Sequence, residues 1–568
     1  MTRPLLPMPQ ARERLGWLPV AVQVLVALIV MGPVLMRAGT HVPGKHGLAD
    51  LPGTLNMHWL VHEVGLMGIT HNRMLMYPST VDRVVIDGFP MDALLSWPFL
   101  AMFGWPAGFT IFMLVAMVAL GCATAWLAQC WWGDARAAAV AGAMAQLSPY
   151  LMRELLQGRP TQVVGAIFLP LALGLILRGI TRDSPKDAAL GGAMVGLGAL
   201  CYWYYGAFFV IAIGMLVAVA RLEGRPVLTT AWASALGCLV VAGVPAIYAF
   251  AGLGDMPGAD LRSTDTLLHG GEQISLVQLL ELRDLTNGIR TDGVMALQVL
   301  AIILMMICVF KAPVRRWLLP LSWIAVAVLL AAGPLLAFPG GGSLSGPFAL
   351  FAELPGLRRM WWPDRSLVIV APALALLVGG GLMHVAESIP MVPFRRWGAP
   401  VTAAALLAWE AQWMVPSLPM ASAWAGPTAR SNAIAQGSGP ALVLPLGGGA
   451  VQQDAQMLID QIHHGRPLVN GPMPPDSTAA PEPYLDFVAS KGMAHFVGCE
   501  SEAGREPAVT RAVAWSHLRA HDIRDIYLDT ELGKRLVVGA EGYRSCVELL
   551  LGNPERASGP YLIYRVPG

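Results

Sequence analysis

Ionisable residues crowd one short stretch of this chain. Five of its twelve histidines, His41, His46, His58, His62 and His71, lie there together with Lys45, Asp50, Glu63, Arg73, Asp82, Arg83, Asp87 and Asp92. His58 and His62 stand four apart, one face of a helix, with Glu63 beside them. That spacing suits a metal, but the order His-x-x-x-His-Glu comes without a third ligand, so no metal is expected, and His58, His62, Glu63 and Asp87 stand as candidate substrate contacts. Asp50 precedes Leu-Pro-Gly-Thr; a turn there would hold a carboxylate at a membrane surface, where burial can tune it as a base. A second group is Arg153, Glu154 and Arg159, in the run Met-Arg-Glu-Leu-Leu-Gln-Gly-Arg between two apolar segments. It is either an interfacial Arg153/Glu154 anchor or a site where guanidinium grips phosphate oxygens. Arg358 and Arg359 open a third, Arg-Arg-Met-Trp-Trp-Pro-Asp-Arg. A lipid phosphate, with Trp361 and Trp362 at the interface, or pairing with Asp364 accounts for it equally. In the tail, His464 and Arg466 sit in His-His-Gly-Arg-Pro-Leu-Val-Asn, either a ligand contact or a structural turn. The Gly-rich run at 447–449 lacks the pattern of a phosphate-cradling loop.

These groups need elements to carry them. The chain is 55% hydrophobic and 13% charged, about half the roughly 25% charge of a soluble domain, so lipid is its main solvent. A net charge of +1 gives no field for nucleic acid. Eleven apolar stretches are expected to span: 16–36, 106–132, 136–151, 161–177, 190–203, 207–219, 228–251, 294–310, 317–338, 366–386 and 400–415. The first is long enough to cross and is followed by no small-x-small cleavage site, so it reads as a transmembrane helix, not a removed signal. Clusters of Lys and Arg fall in every second gap (Arg12 and Arg14; Arg136; Arg178 and Arg182; Arg221 and Arg225; Arg315 and Arg316; Arg395 and Arg396). The positive-inside rule makes those gaps cytoplasmic and places the residues after 416 outside. The loop 37–92 is then external, with an amphipathic helix near 54–67 and an interfacial stretch at 93–103.

The tail changes character. Strands are expected at 441–446, 525–528 and 561–566, and helices at 452–464, 507–520 and 543–551, which suggests a small α/β domain. The expected division is a transmembrane domain over 1–416 and an extracytoplasmic domain over 417–568. Of seven cysteines, Cys122, Cys130, Cys201, Cys238 and Cys308 lie in apolar runs. Cys499 and Cys546 lie in the tail, and outside the cytoplasm they either pair or stay as thiols.

Three features together resemble bacterial membrane glycosyltransferases of the GT-C superfold, in the group of protein mannosyltransferase-like and arabinosyltransferase-like proteins. They are the acidic first external loop with Asp50, the multi-span body with its Gly158-Arg159 turn and the Leu-Pro-Gly-Leu-Arg-Arg segment at 354–359, and the external tail with His464-Gly-Arg-Pro-Leu-Val-Asn-Gly471. The resemblance implies a multi-pass enzyme of the bacterial cytoplasmic membrane. It would take a sugar from a polyprenyl-phosphate donor, within membrane lipid, to an acceptor of unspecified glycan, lipid or protein type, with inversion and no required cofactor. Asp50 takes the general-base role by position, though Ala49 and Leu51 stand where the commonest pattern has a second acid beside it. Arg159, Arg358 and Arg359 would hold the donor phosphate, with Arg153, Glu154, His464 and Arg466 as further contacts. Two rival readings are a transporter or flippase for a lipid-linked glycan and a non-catalytic envelope scaffold. No inverted repeat favours the transporter.

Overall fold

The computed structural model describes Leu6 and residues 15–45, 50–84, 88–253, 298–337, 343–354, 360, 362–414, 420–446, 456–470, 481–500, 510–534, 536 and 538–567. Two compact units emerge. One comprises Met1–Leu48, Pro98–Tyr248 and Leu261–Ala423; the other comprises Ala49–Trp97, Ala249–Asp260 and Trp424–Gly568.

The first unit is a helical membrane body. Each of the eleven apolar stretches carries a helix. Seven of these, among the described residues, are long and apolar enough to cross a membrane: Trp17–Leu35, Ala107–Trp132, Pro160–Arg182, Trp203–Leu222, Leu228–Ala249, Val314–Ala331 and Pro363–Glu387. The others are the shorter helices Ala135–Gln146, Pro185–Cys201, Val299–Lys311 and Ala399–Met414. Where one helix is expected over 136–151, the chain forms two. Proline disfavours helical backbone in the residue before it, and Ser148 is extended (ψ 121°) ahead of a new helix, Pro149–Leu156.

Small residues let the helices touch backbone to backbone, as membrane packing favours. A methyl group on Gly192 would lie 1.8 Å from the carbonyl oxygen of Ser234, and one on Gly237 would lie 1.9 Å from that of Ala189. Buried amides add cross-links: the Gln23 side chain donates to Ala139 O at 2.9 Å, and that of Gln146 donates to Gln23 O at 3.1 Å and Met117 O at 2.8 Å.

The second unit is α/β. Its sheet runs in the order Ala441–Leu444, Asp525–Asp529, Tyr561–Arg565, Arg556–Ser558. The first pair is parallel and the other two are antiparallel. The expected tail helices are present as Gln456–His464, Arg511–Ala520 and Gly539–Leu551. Met76 and Val81, from the stretch ahead of the membrane helix Ala107–Trp132, pack into one core with Leu442, Leu444, Ile526, Tyr543 and Val547. Backbone bonds from Met76 N–H to Asn470 O (3.1 Å), Tyr77 N–H to Leu468 O (3.0 Å) and Leu468 N–H to Met74 O (2.8 Å) extend the sheet-like pairing.

Candidate functional site

In the helical unit, two breaks in the chain carry charge into an apolar surround. Gly158 adopts a left-handed φ of 76°, which favours glycine, and Arg159 follows in non-helical backbone just before Pro160 begins the next helix. The short helix Pro149–Leu156 delivers Arg153 and Glu154, and a 3₁₀ turn, Pro363–Ile369, delivers Asp364 and Arg365 at the mouth of a membrane helix. Together these five side chains form one buried network. Arg153 donates to Glu154 Oε1 through Nε (3.0 Å) and an Nη (2.6 Å), and to Asp364 Oδ2 at 2.5 Å. Arg159 lies 3.5 Å from Glu154 Oε2 and donates to Gln157 Oε1 at 2.7 Å. Arg365 pairs with Glu154 as well. The Trp362 ring sits between two of these cations, with the guanidinium carbons of Arg159 and Arg365 each 5.7 Å from its centroid, a cation–π arrangement.

Charges here are costly without partners. Glu154 is fully buried, Arg365 is 1% exposed and Asp364 4%. Three guanidiniums face two carboxylates, which leaves one formal positive charge among the five. The matching is also incomplete: Asp364 Oδ1 and Arg365 Nε are buried without a hydrogen-bond partner among the described residues. The excess guanidinium charge and the unfilled Arg365 Nε–H suit an oxyanion such as phosphate, whereas Asp364 Oδ1 would have to face away from it.

A separate apolar cavity of about 570 Å³ opens in the same unit, lined by residues including Val195, Val210, Val217, Ala235, Leu239 and Ala242.

The second unit holds the other candidates. Asp50 is exposed and begins the helix Asp50–Thr70. That helix is pinned on two sides. Asn56 donates to Leu458 O (3.1 Å) and Gln461 Oε1 (2.9 Å). His58 Nε2 bonds Asp92 Oδ2 at 3.1 Å, and its Nδ1 meets the Ser96 hydroxyl at 2.7 Å. Both ring nitrogens of His58 are thus engaged by the helix Met91–Phe103, and neither points to a metal shared with His62. The His62 ring instead lies 3.4 Å from Glu63 on a partly exposed face.

Arg466 is saturated. Nε donates to Gly439 O; one Nη donates to Ile434 O and Tyr527 Oη; the other donates to Ser438 O and Asp525 Oδ2 at 3.1 Å. All five N–H groups are used within the fold, leaving none for a ligand. His464 accepts the Arg466 backbone N–H at 3.0 Å on Nδ1. Burial, helped by the Arg466 and His463 charges, pushes its pKa down to about 3. Cys499 and Cys546 form a disulfide. Asp87, Arg358 and Arg359 lie outside the described residues.

Sequence reasoning finds Arg153, Glu154 and Arg159 but does not single out Arg365. The signal was available: a charged residue running straight into an apolar span is costly enough to imply a partner or a ligand.

No protein-family model matches the sequence, and no curated protein matches it. Solved structures do share its fold. ArnT from Cupriavidus metallidurans in the apo state is similar at 15% identity and a TM-score of 0.52, over 97% of this chain and 98% of that one. The arabinofuranosyltransferase AftD from Mycobacteria is similar at 16% identity and a TM-score of 0.50, over 92% of this chain and 37% of that one. The likeness is one of fold, shared with these two solved structures over nearly the whole of this chain.

Proposed function

We propose that this protein is a GT-C-type glycosyltransferase that moves a sugar from a polyprenyl-phosphate donor to an acceptor hydroxyl on the outer face of the cytoplasmic membrane. The observation that carries this reading is the buried Arg153–Glu154–Arg159–Asp364–Arg365 network, cation-rich and incompletely paired, in a membrane body of this fold. That AftD is an arabinofuranosyltransferase supports the reaction class, and the disulfide supports an oxidising compartment for the tail.

The chemistry is a single inverting displacement. The acceptor oxygen attacks the anomeric carbon as the bond from that carbon to the lipid phosphate breaks, and the acceptor proton passes to a carboxylate. Charge grows on the departing phosphate, where fixed guanidiniums stabilise it. Glu154 and Asp364 serve as counter-ions to the arginines, and we assign the base to another carboxylate. Asp50 is our candidate: it is exposed, and its helix is held by Asn56 and His58. The apolar cavity offers room for part of an isoprenoid tail.

Purified protein in liposomes, supplied with radiolabelled polyprenyl-phosphate sugars and envelope extract as acceptor, tests this. Asp50→Asn should cut transfer by about 10²–10⁴-fold, and Arg159→Gln by about 10²–10³-fold, with the protein still folded. Full transfer by Asp50→Asn sinks the base assignment. Absence of transfer by the wild type with every donor sinks the enzyme reading and favours a scaffold.

A further inference from the structure

The disulfide in the tail has a histidine over it. His495 and Cys499 stand one helical turn apart at the helix Ala494–Gly498, and Cys546 comes from the helix Gly539–Leu551. His495 Nε2 lies 3.4 Å from Cys499 Sγ and 3.6 Å from Cys546 Sγ. Among the described residues its one other partner, the Cys546 carbonyl, is 3.5 Å away, so this nitrogen makes no short hydrogen bond to them, although the residue is only 5% exposed. The two cysteines are buried as well.

We propose that reduction of the Cys499–Cys546 bond converts this corner into a zinc site of one imidazole and two thiolates, with water as the fourth ligand. The distances already match. With Zn–N about 2.0–2.1 Å and Zn–S about 2.3 Å in a tetrahedron, nitrogen and sulfur stand roughly 3.6 Å apart and the two sulfurs roughly 3.8 Å. Both nitrogen–sulfur edges are therefore set by the fold, and only the two sulfurs must separate. The step balances: a dithiol gives two electrons and two protons to the disulfide and itself becomes a disulfide. Zn²⁺ then replaces the two thiol protons, which leave to solvent. Glu500, beside Cys499, is held by the Leu446 N–H at 2.6 Å and is not needed as a ligand. The same three side chains thus hold either a covalent cross-link or a metal cross-link between two helices, according to redox state.

Full-length protein in detergent, reduced with a dithiol, freed of it under argon and titrated with Co²⁺, tests the proposal. One Co²⁺ per chain should bind, with thiolate-to-cobalt charge transfer and the intense visible bands of tetrahedral cobalt, and Zn²⁺ should displace it. The oxidised protein should bind none. His495→Ala should weaken binding at least about tenfold, the scale seen even for outer-shell partners, and His495→Gln, which preserves more of the packing, should do the same. The Cys499→Ser/Cys546→Ser double variant should show no charge-transfer band. Failure of the reduced protein to take up cobalt overturns the proposal, as does undiminished uptake by the double variant or by both His495 variants.

Discussion

Glu154 is where the buried network is most exposed to mutation. It bears no solvent contact and answers three arginines. Removing one partner of such a set leaves uncompensated charge, which costs far more than the set itself contributes. Glu154→Ala should therefore destabilise the protein by about 3–5 kcal/mol, read as a drop in Tm in detergent, whereas Lys534→Ala, at an exposed pair with Glu531, should be close to neutral. His464 makes a pH prediction. Its folded pKa, pushed down to about 3, lies below the unfolded value of 6.5, so the unfolded chain binds the extra proton between those limits. Stability then rises with pH across that window and falls on acidification. His464→Gln, with an amide oxygen to accept the Arg466 N–H, should remove up to about 1.4 kcal/mol per pH unit of that slope, seen by comparing unfolding of variant and wild type from pH 7 to pH 4; identical slopes would refute it. At this scale the sequence shows which residues are costly but not whom they meet. Arg153 and Asp364 are 211 positions apart, and nothing in the spacing of His58 and His62 reveals Ser96 and Asp92 as the partners of the first.

Among elements, the apolar periodicity that marks helices is strong, and each expected span carries one. The breaks are subtler. Proline at 149 stops and restarts a helix inside the apolar stretch 136–151, the Gly158–Arg159–Pro160 turn in the following gap starts the next helix, and the two breaks together bring Arg153, Glu154 and Arg159 to one place. Short helices such as Glu482–Ala489 and Ala494–Gly498 were not anticipated, because two turns hold too little periodicity to register. The close packing of Pro185–Cys201 against Leu228–Leu253 depends on glycine. Gly192→Val should cost at least about 1–3 kcal/mol through overpacking against backbone that cannot retreat, while Gly214→Ala, whose new methyl meets nothing within 4 Å, should be neutral or stabilising by up to about 1 kcal/mol. Matched thermal melts decide it: equal losses for the two variants would refute the close-approach argument. His58 acts at the same scale, clamping the Asp50 helix to Met91–Phe103 through Asp92 and Ser96.

For the whole molecule, composition declares a membrane protein, and the alternation of cationic gaps assigns sides to it. What composition cannot declare is that residues 49–97 belong with the tail, since Met76 and Val81 meet Leu442 and Val547 only through pairing across hundreds of positions. The disulfide joins these two levels, because it closes a loop of 47 residues in the tail and forms stably only where the tail reaches an oxidising compartment. A reporter fused after Gly568 should accordingly register the extracytoplasmic side and one in the gap at Gly133 the cytoplasm. In the same cells, Cys499 and Cys546 should resist alkylation until a reductant is added. Cys546→Ser should cost about 4 kcal/mol by the loop-entropy estimate, lowering the denaturant midpoint of the full-length protein. If the cysteines alkylate freely in intact cells while the Gly133 reporter registers outside, the positive-inside assignment is inverted, and any chemistry at Asp50 must be sought on the opposite face of the membrane.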